Sequence, residues 1–161
     1  MGEYLKGGPS PYPLRDALED AYFWILTEEA VNAPWQDEAL CEYAMLRFVF
    51  KRYGQGSYDT LKYYRVDEPM REGVPGGLTP GSPIDYFGNL ADYRTVVYGR
   101  GAALLLALDD MVPGGADRML RAYADAFAYQ YVTRDQLEEF LNRWAGMDVR
   151  PLLLDYLDTV M

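Results

Sequence analysis

The sequence predicts an all-α protein of about seven helices. Apolar residues recur at offsets of three and four along most of the chain, and glycine, proline and capping residues stand between these stretches. No stretch shows the sustained alternation of apolar and polar residues that is typical of a strand. The chain has 161 residues, half of them hydrophobic, which suffices for one domain with a core. We expect residues 1–12 to form an extended lead-in and residues 13–161 to form a single helical domain.

Three helices are predicted in the first half of the chain. Pro13 suits a first helical turn, and an apolar stripe predicts that a helix runs from residue 14 to near residue 32. A second helix is predicted from about residue 35 to residue 53, because Gly54 is a typical stop. A third helix is expected to begin after Ser57, which can act as its N-cap.

A long loop is predicted to separate these helices from the second half of the chain. Residues 73–88 are rich in glycine and proline, which favour turns, and loops of this length are usually functional or mobile. A fourth helix is expected over residues 90–111, because Pro113 and the two glycines after it end the apolar pattern. A fifth helix is expected over residues 116–130.

The last two helices are predicted from their capping residues. Thr133 and Gln136 have the spacing of a capping box, so a sixth helix should begin there and stop at Gly146. Asp148 can cap a short seventh helix that carries several leucines.

The composition limits the classes of partner. The formal net charge is −10, because 25 acidic residues outnumber 15 basic ones. Nucleic acid and anionic membranes are not expected partners, since both bind basic surfaces. The longest apolar run, residues 101–108, is far too short to span a bilayer, so no membrane segment is expected in this chain. The single Cys41 lies in an apolar helical stripe and is expected to be a buried structural thiol.

Residues 34–44 read Pro-Trp-Gln-Asp-Glu-Ala-Leu-Cys-Glu-Tyr-Ala. This run resembles the second zinc-binding helix of the aminopeptidase N family of gluzincins. Those enzymes carry His-Glu-x-x-His and then, after eighteen intervening residues, a glutamate as the third zinc ligand. In that frame Glu38 has the place of the third ligand. Arg15 and Glu19 have the places of the two histidines, and Asp16 has the place of the catalytic glutamate.

A second segment, residues 92–102, is similar to the family's Tyr-(Glu)-Lys-Gly-Ala segment. Tyr98 matches the tyrosine that donates its hydroxyl to the oxyanion of the tetrahedral intermediate, whereas Gly99 and Arg100 depart from the family pattern. The likeness covers most of residues 14–158. It implies a fold like the helical C-terminal subdomain of a thermolysin-like, gluzincin catalytic domain, without the β-rich parts that precede it in the family.

Neither zinc nor another cofactor is expected. The zinc enzymes need two neutral imidazoles on the metal, whereas this sequence contains no histidine. Arginine has no free lone pair and is not a metal ligand. Arg15 can pair with Glu19 and reach Glu38, so that a guanidinium would replace the metal ion; its charge also opposes calcium. Alternatively, Arg15, Asp16 and Glu19 form an ordinary solvated helix face.

The expected function is that of an aminopeptidase-like helical domain without catalysis, which binds a peptide or a partner protein chain or has a structural role. Trp35, Tyr93 and Tyr98 are the candidate walls of its groove, although Trp35 can instead pack helices together. Two alternatives remain open. The chain can be one piece of a larger protein that needs a β-rich part, or it can be a hydrolase that pairs Asp16 or Glu19 with Glu38 as acid and base.

Overall fold

Helices dominate the computed structural model, which describes residues 27–28, 33–71, 75–112 and 115–159. These ranges hold six helices, and the all-α prediction is confirmed. The predicted lead-in and most of the first predicted helix lie outside the described residues. The six helices are α1 (Trp35–Tyr53), α2 (55–71), α3 (90–111), α4 (Gly115–Phe127), α5 (Arg134–Ala145) and α6 (150–158).

Three of these helices are interrupted by π-helical stretches, which the sequence did not predict. In α2 the order is Gln55–Lys62, the π stretch Tyr63–Asp67, and Glu68–Arg71. In α3 the order is Leu90–Tyr93, the π stretch Arg94–Arg100, and Gly101–Met111. In α6, Arg150–Leu153 continues into the π stretch Leu154–Asp158. Such widened turns are rare and often occur at functional sites.

The π stretches of α2 and α3 pack closely together. A Cβ atom placed on Gly99 would lie 2.6 Å from the Cβ of Pro69 and 3.2 Å from the carbonyl oxygen of Arg65. Glycine is required at this position because any side chain would push the two helices apart. The close approach therefore fixes the spacing of α2 and α3.

The local stop and start signals in the sequence agree with the structure. Helix α1 has its predicted bounds and is followed by Gly54 at φ 83°. Thr133 and Gln136 form both bonds of the capping box of α5, and Gly146 ends that helix in the left-handed region. The backbone N–H of Arg150 donates to Asp148 at the start of α6. Each of these signals acts within a few residues, so the sequence alone reveals it.

Other predicted boundaries need correction. Helix α2 begins at Gln55, so Ser57 lies inside the helix and is not its N-cap; Gln55 donates to Asp59 one turn further on. The described part of the predicted loop, residues 75–88, contains two short 3₁₀ turns, Pro75–Gly77 and Ile84–Tyr86.

A short strand pair also corrects the sequence prediction. β1 (Thr27–Glu28) pairs in parallel with β2 (Tyr131–Val132). The expectation that the first helix extends to near residue 32 is therefore wrong at residues 27–28. The partner strand lies more than a hundred positions away in the chain, and a local apolar pattern gives no information about such a partner.

The core lies where α1 and α3 cross. A Cβ atom on Gly101 would lie 2.7 Å from the Cβ of Ala39, so these helices also approach closely. Cys41 of α1 is also buried, as expected of a structural thiol. The helices α4, α5 and α6 contribute further buried side chains to the same cluster, and its largest fully buried members include Tyr43, Leu104, Leu108, Met119, Tyr123, Leu141 and Leu157.

Candidate functional site

Glu38 lies near the start of α1, where a tyrosine hydroxyl contacts its carboxylate. The hydroxyl of Tyr93, from the first turn of α3, donates to Oε1 of Glu38 over 3.1 Å. Burial raises the pKa of the Tyr93 hydroxyl, and the negative charge of Glu38 and the hydrogen bond raise it further. Tyr93 therefore stays protonated and remains a hydrogen-bond donor at neutral pH.

A row of aromatic rings extends from this pair. The rings of Phe87 and Tyr93 meet edge to face with centroids 5.2 Å apart, and those of Tyr93 and Tyr98 meet in the same way at 5.8 Å. Edge-to-face contacts of this length hold the rings in defined orientations. The structure thus brings together Glu38, Tyr93 and Tyr98, three of the residues that the sequence singled out.

One helical turn after Glu38, a second carboxylate is held by a different partner. Arg65 donates to Glu42 through Nε at 2.8 Å and through Nη2 at 2.5 Å. The Glu42 side chain is 0% exposed, and a carboxylate buried to this degree needs a paired cation. The guanidinium carbon of Arg65 also lies 5.8 Å from the ring centroid of Tyr98. Arg65 therefore contacts both the buried Glu42 carboxylate and Tyr98, the last ring of the aromatic row.

A cleft of about 280 Å³ opens between α2 and α3 beside Tyr98. Pockets for small molecules usually measure roughly 300–1,000 Å³. This cleft is slightly smaller than that range, so its volume suits roughly one or two amino-acid side chains. Tyrosine rings and a proline provide apolar surface, and two arginines, a glutamate and a threonine provide polar groups. Its lining consists of Tyr64, Arg65, Glu68 and Pro69 from α2, and Ala91, Arg94, Thr95 and Tyr98 from α3.

The remaining predicted site residues lie elsewhere. Trp35 is only 2% exposed and belongs to the hydrophobic core, so it does not line this cleft. Arg15, Asp16 and Glu19 lie outside the described residues.

Three residues of the candidate site were missed by reasoning from the sequence: Glu42, Arg65 and Arg94. Glu42 follows Glu38 by four positions and so lies on the same helix face, a signal that could have identified it. Arg65 and Arg94 stand in predicted helices, but their place at the cleft depends on how α2 and α3 cross. That crossing is set by tertiary packing at Gly99, which the sequence does not reveal.

The residues present do not fit the zinc site of the gluzincins. The four matching positions hold Arg15, Asp16, Glu19 and Glu38, a set without any imidazole. Within the described ranges, no group of three or more histidine, cysteine, aspartate or glutamate side chains could hold a metal ion. The donor set thus differs in kind from that of the family.

Comparison with models of protein families, with curated proteins and with solved structures finds no match to this chain. Among the helices that the structure describes, none is both long and apolar enough to cross a membrane. The cleft between α2 and α3 is therefore the feature of this chain that points to a function.

Proposed function

We propose that this chain is an aminopeptidase-like helical domain without peptidase activity, which binds a short segment of a peptide or partner protein in the cleft between α2 and α3. The observation that carries this proposal is the cleft of about 280 Å³ with Tyr98 in its wall. Tyr98 is also the residue that resembles the oxyanion donor of the family.

The surface chemistry of the cleft supports peptide binding. Tyr64 is 60% exposed, so binding a side chain against its ring would remove apolar area from water. Tyrosine and arginine are over-represented among the residues that dominate the binding energy of protein interfaces. Thr95 and Arg94 provide hydrogen-bonding groups at the same opening, which suit a peptide backbone.

The donor set supports the absence of peptidase chemistry. A zinc peptidase activates water on a metal that imidazoles and a carboxylate hold, and this sequence has no imidazole. The carboxylate of Glu38, which resembles the third zinc ligand of the family, accepts a hydrogen bond from the Tyr93 hydroxyl instead. Without catalysis no oxyanion forms for the Tyr98 hydroxyl to stabilise, so Tyr98 acts as a wall of the cleft.

A cleft-filling variant tests the binding function. Peptides selected against the chain from a phage-displayed random library serve as probes. Ala91 is exposed and lines the cleft, so Ala91→Trp should block it and weaken binding by more than about tenfold. Ala126→Trp, at an exposed position of α4, is the matched control and should leave binding unchanged. Equal binding by both variants, or no enriched peptide, would contradict the proposal.

Metal analysis and a peptidase assay test the absence of catalysis. After dialysis against zinc, the chain should retain no stoichiometric metal and should not release para-nitroaniline from alanine para-nitroanilide. Hydrolysis that a chelator abolishes, together with one bound zinc per chain, would show that the chain is a zinc peptidase and would contradict the proposal.

A further inference from the structure

Positive charge is concentrated in one part of this acidic chain. Six of the fifteen Lys and Arg residues lie between residues 47 and 71, against three of the twenty-five Asp and Glu residues. This stretch carries a formal charge of +3, whereas the remainder of the chain carries −13. Arg47 and Arg65 of this stretch are paired with Asp109 and Glu42 from outside it, which leaves +1, so the end of α1 and all of α2 do not share the negative charge of the rest of the molecule.

Exposed aromatic rings occupy the same region. Tyr53 is 58% exposed, and Tyr63 and Tyr64 are also exposed, with their rings in edge-to-face contact at 5.2 Å. The guanidinium carbon of Arg52 lies 5.6 Å from the Tyr53 ring centroid, and that of Arg71 lies 5.5 Å from the Tyr63 ring centroid. We call these exposed residues the basic aromatic face: Arg52 and Tyr53 at the end of α1, Tyr63, Tyr64 and Arg71 on α2, and Arg94 on α3.

The arginines of this face differ from the basic residues beside them. Arg65 is paired with Glu42, and Lys62 is paired with Asp67. In the part of the chain that the structure describes, no carboxylate lies within ion-pair distance of the exposed Arg52, Arg71 or Arg94. Arg52 and Arg71 lie over tyrosine rings, which orient their guanidinium groups without neutralising them. These cations can pair with carboxylates of another molecule.

We propose that the basic aromatic face docks an acidic segment of a partner protein. This inference rests on the proposed function, because Tyr64 and Arg94 belong both to the face and to the cleft, so that one side chain of the segment would enter the cleft. Guanidinium groups bind carboxylates in a bidentate manner, and exposed tyrosines bury large areas at low entropic cost. The partner is thus an acidic peptide segment with apolar or aromatic side chains between its carboxylates.

The charge distribution favours a short acidic peptide over a nucleic acid. Duplex DNA carries one charge per about 1.7 Å, and the −13 of the remaining chain would repel such a polyanion over distances near the Debye length. A short peptide with a few carboxylates can bind at this stretch alone and so avoids most of this repulsion.

Fluorescence anisotropy with a labelled peptide that alternates Glu and Leu tests the proposal. The same peptide with Gln in place of Glu should bind at least about tenfold more weakly. The charge-reversed double variant R52E/R71E should lose at least about tenfold in affinity for the Glu peptide. The matched control is R118E/R121E, which makes the same change in net charge at exposed positions of α4, and it should retain the affinity of the parent chain.

A second variant and two further measurements complete the test. R52A/R71A removes the cations without adding charge and should also lose affinity, which guards against a folding defect in R52E/R71E. Equal loss in R52E/R71E and R118E/R121E would overturn the proposal, because charge alone would then explain binding. Tighter binding of oligothymidylate than of the Glu peptide would overturn it in favour of nucleic acid. Self-association of the parent chain that R52E/R71E abolishes would overturn it in favour of a second copy.

The outcome also separates this inference from the proposed function. If Ala91→Trp no longer binds the Glu peptide and R52E/R71E still binds it, the result supports the cleft function and contradicts docking of an acidic segment on the basic aromatic face. If R52E/R71E loses the Glu peptide and Ala91→Trp retains it, the basic aromatic face stands and the cleft function fails.

Discussion

Glu38 and Glu42 stand one helical turn apart on α1, yet the protein satisfies them in different ways. Glu42 is fully buried and accepts hydrogen bonds from two nitrogens of the Arg65 guanidinium, Nε and Nη2. Glu38 is only partly buried and accepts a neutral hydroxyl from Tyr93. A carboxylate that has lost all its water depends strongly on a paired positive charge, whereas one that keeps some water depends less on any single contact. Burial thus sets how much each contact contributes to stability, and Glu38, the residue that resembles a third zinc ligand, is the more exposed of the two carboxylates.

The largest expected effect comes from removing the cation beside Glu42. Arg65→Ala leaves a buried carboxylate without its charge partner and should lower the free energy of unfolding by about 3 kcal/mol in urea denaturation. The double variant Arg65→Met with Glu42→Leu removes both charges and should regain much of this loss. An equal loss in the single and double variants would mean that packing, and not the unpaired charge, accounts for the effect.

A smaller effect is expected at Glu38. Tyr93→Phe removes the hydroxyl that donates to Glu38 and keeps the ring contacts with Phe87 and Tyr98. Because Glu38 keeps some water, the loss should be about 1 kcal/mol by thermal unfolding. Tyr86→Phe, at a 68% exposed tyrosine, is the control and should have no effect. A loss as large as that of Arg65→Ala would break the contrast between the two carboxylates.

The smallest effect is expected at Asp37, beside Glu38. Burial raises the pKa of the Asp37 carboxyl, and a hydrogen bond from Cys41 offsets this in part. At a pH below the ordinary carboxyl pKa, Asp37 is neutral in both folded and unfolded chains and burial costs nothing. As the pH rises through the raised pKa of the folded chain, the partly buried Asp37 carboxyl becomes charged, and the folded chain loses stability relative to the unfolded chain. Asp37→Asn avoids that cost.

The stability of Asp37→Asn relative to the parent chain should therefore increase from acidic to neutral pH, by less than the effect of Tyr93→Phe. Thermal unfolding at several pH values measures it. A difference between variant and parent that is constant with pH would show that burial does not perturb Asp37.

The sequence predicted local features of the fold better than long-range ones. Gly54, the Thr133–Gln136 capping box and Gly146 each act on the nearest turn of a helix, so their effects could be inferred directly. The pairing of Thr27–Glu28 with β2 and the π stretches of α2 and α3 depend on distant partners, and no local pattern encodes them.

The candidate site was predicted in part for the same reason. Glu38, Tyr93 and Tyr98 were named from their motifs, and the structure places them together. Arg65 and Arg94 reach the cleft only because α2 and α3 cross closely, and no local pattern of residues indicates that crossing. Trp35 belongs to the apolar stripe of α1 and lies in the core, a role that its helical spacing already allowed.

The most direct test of the binding account is an NMR titration of the isotopically labelled chain with the Glu-Leu peptide. If the peptide binds at the cleft and the basic aromatic face, the largest amide shift changes should occur in residues 52–53, 63–71 and 91–98, and Ala91→Trp should reduce those in the last range. Shift changes concentrated in α4, α5 or α6, or no changes at saturating peptide, would contradict the account.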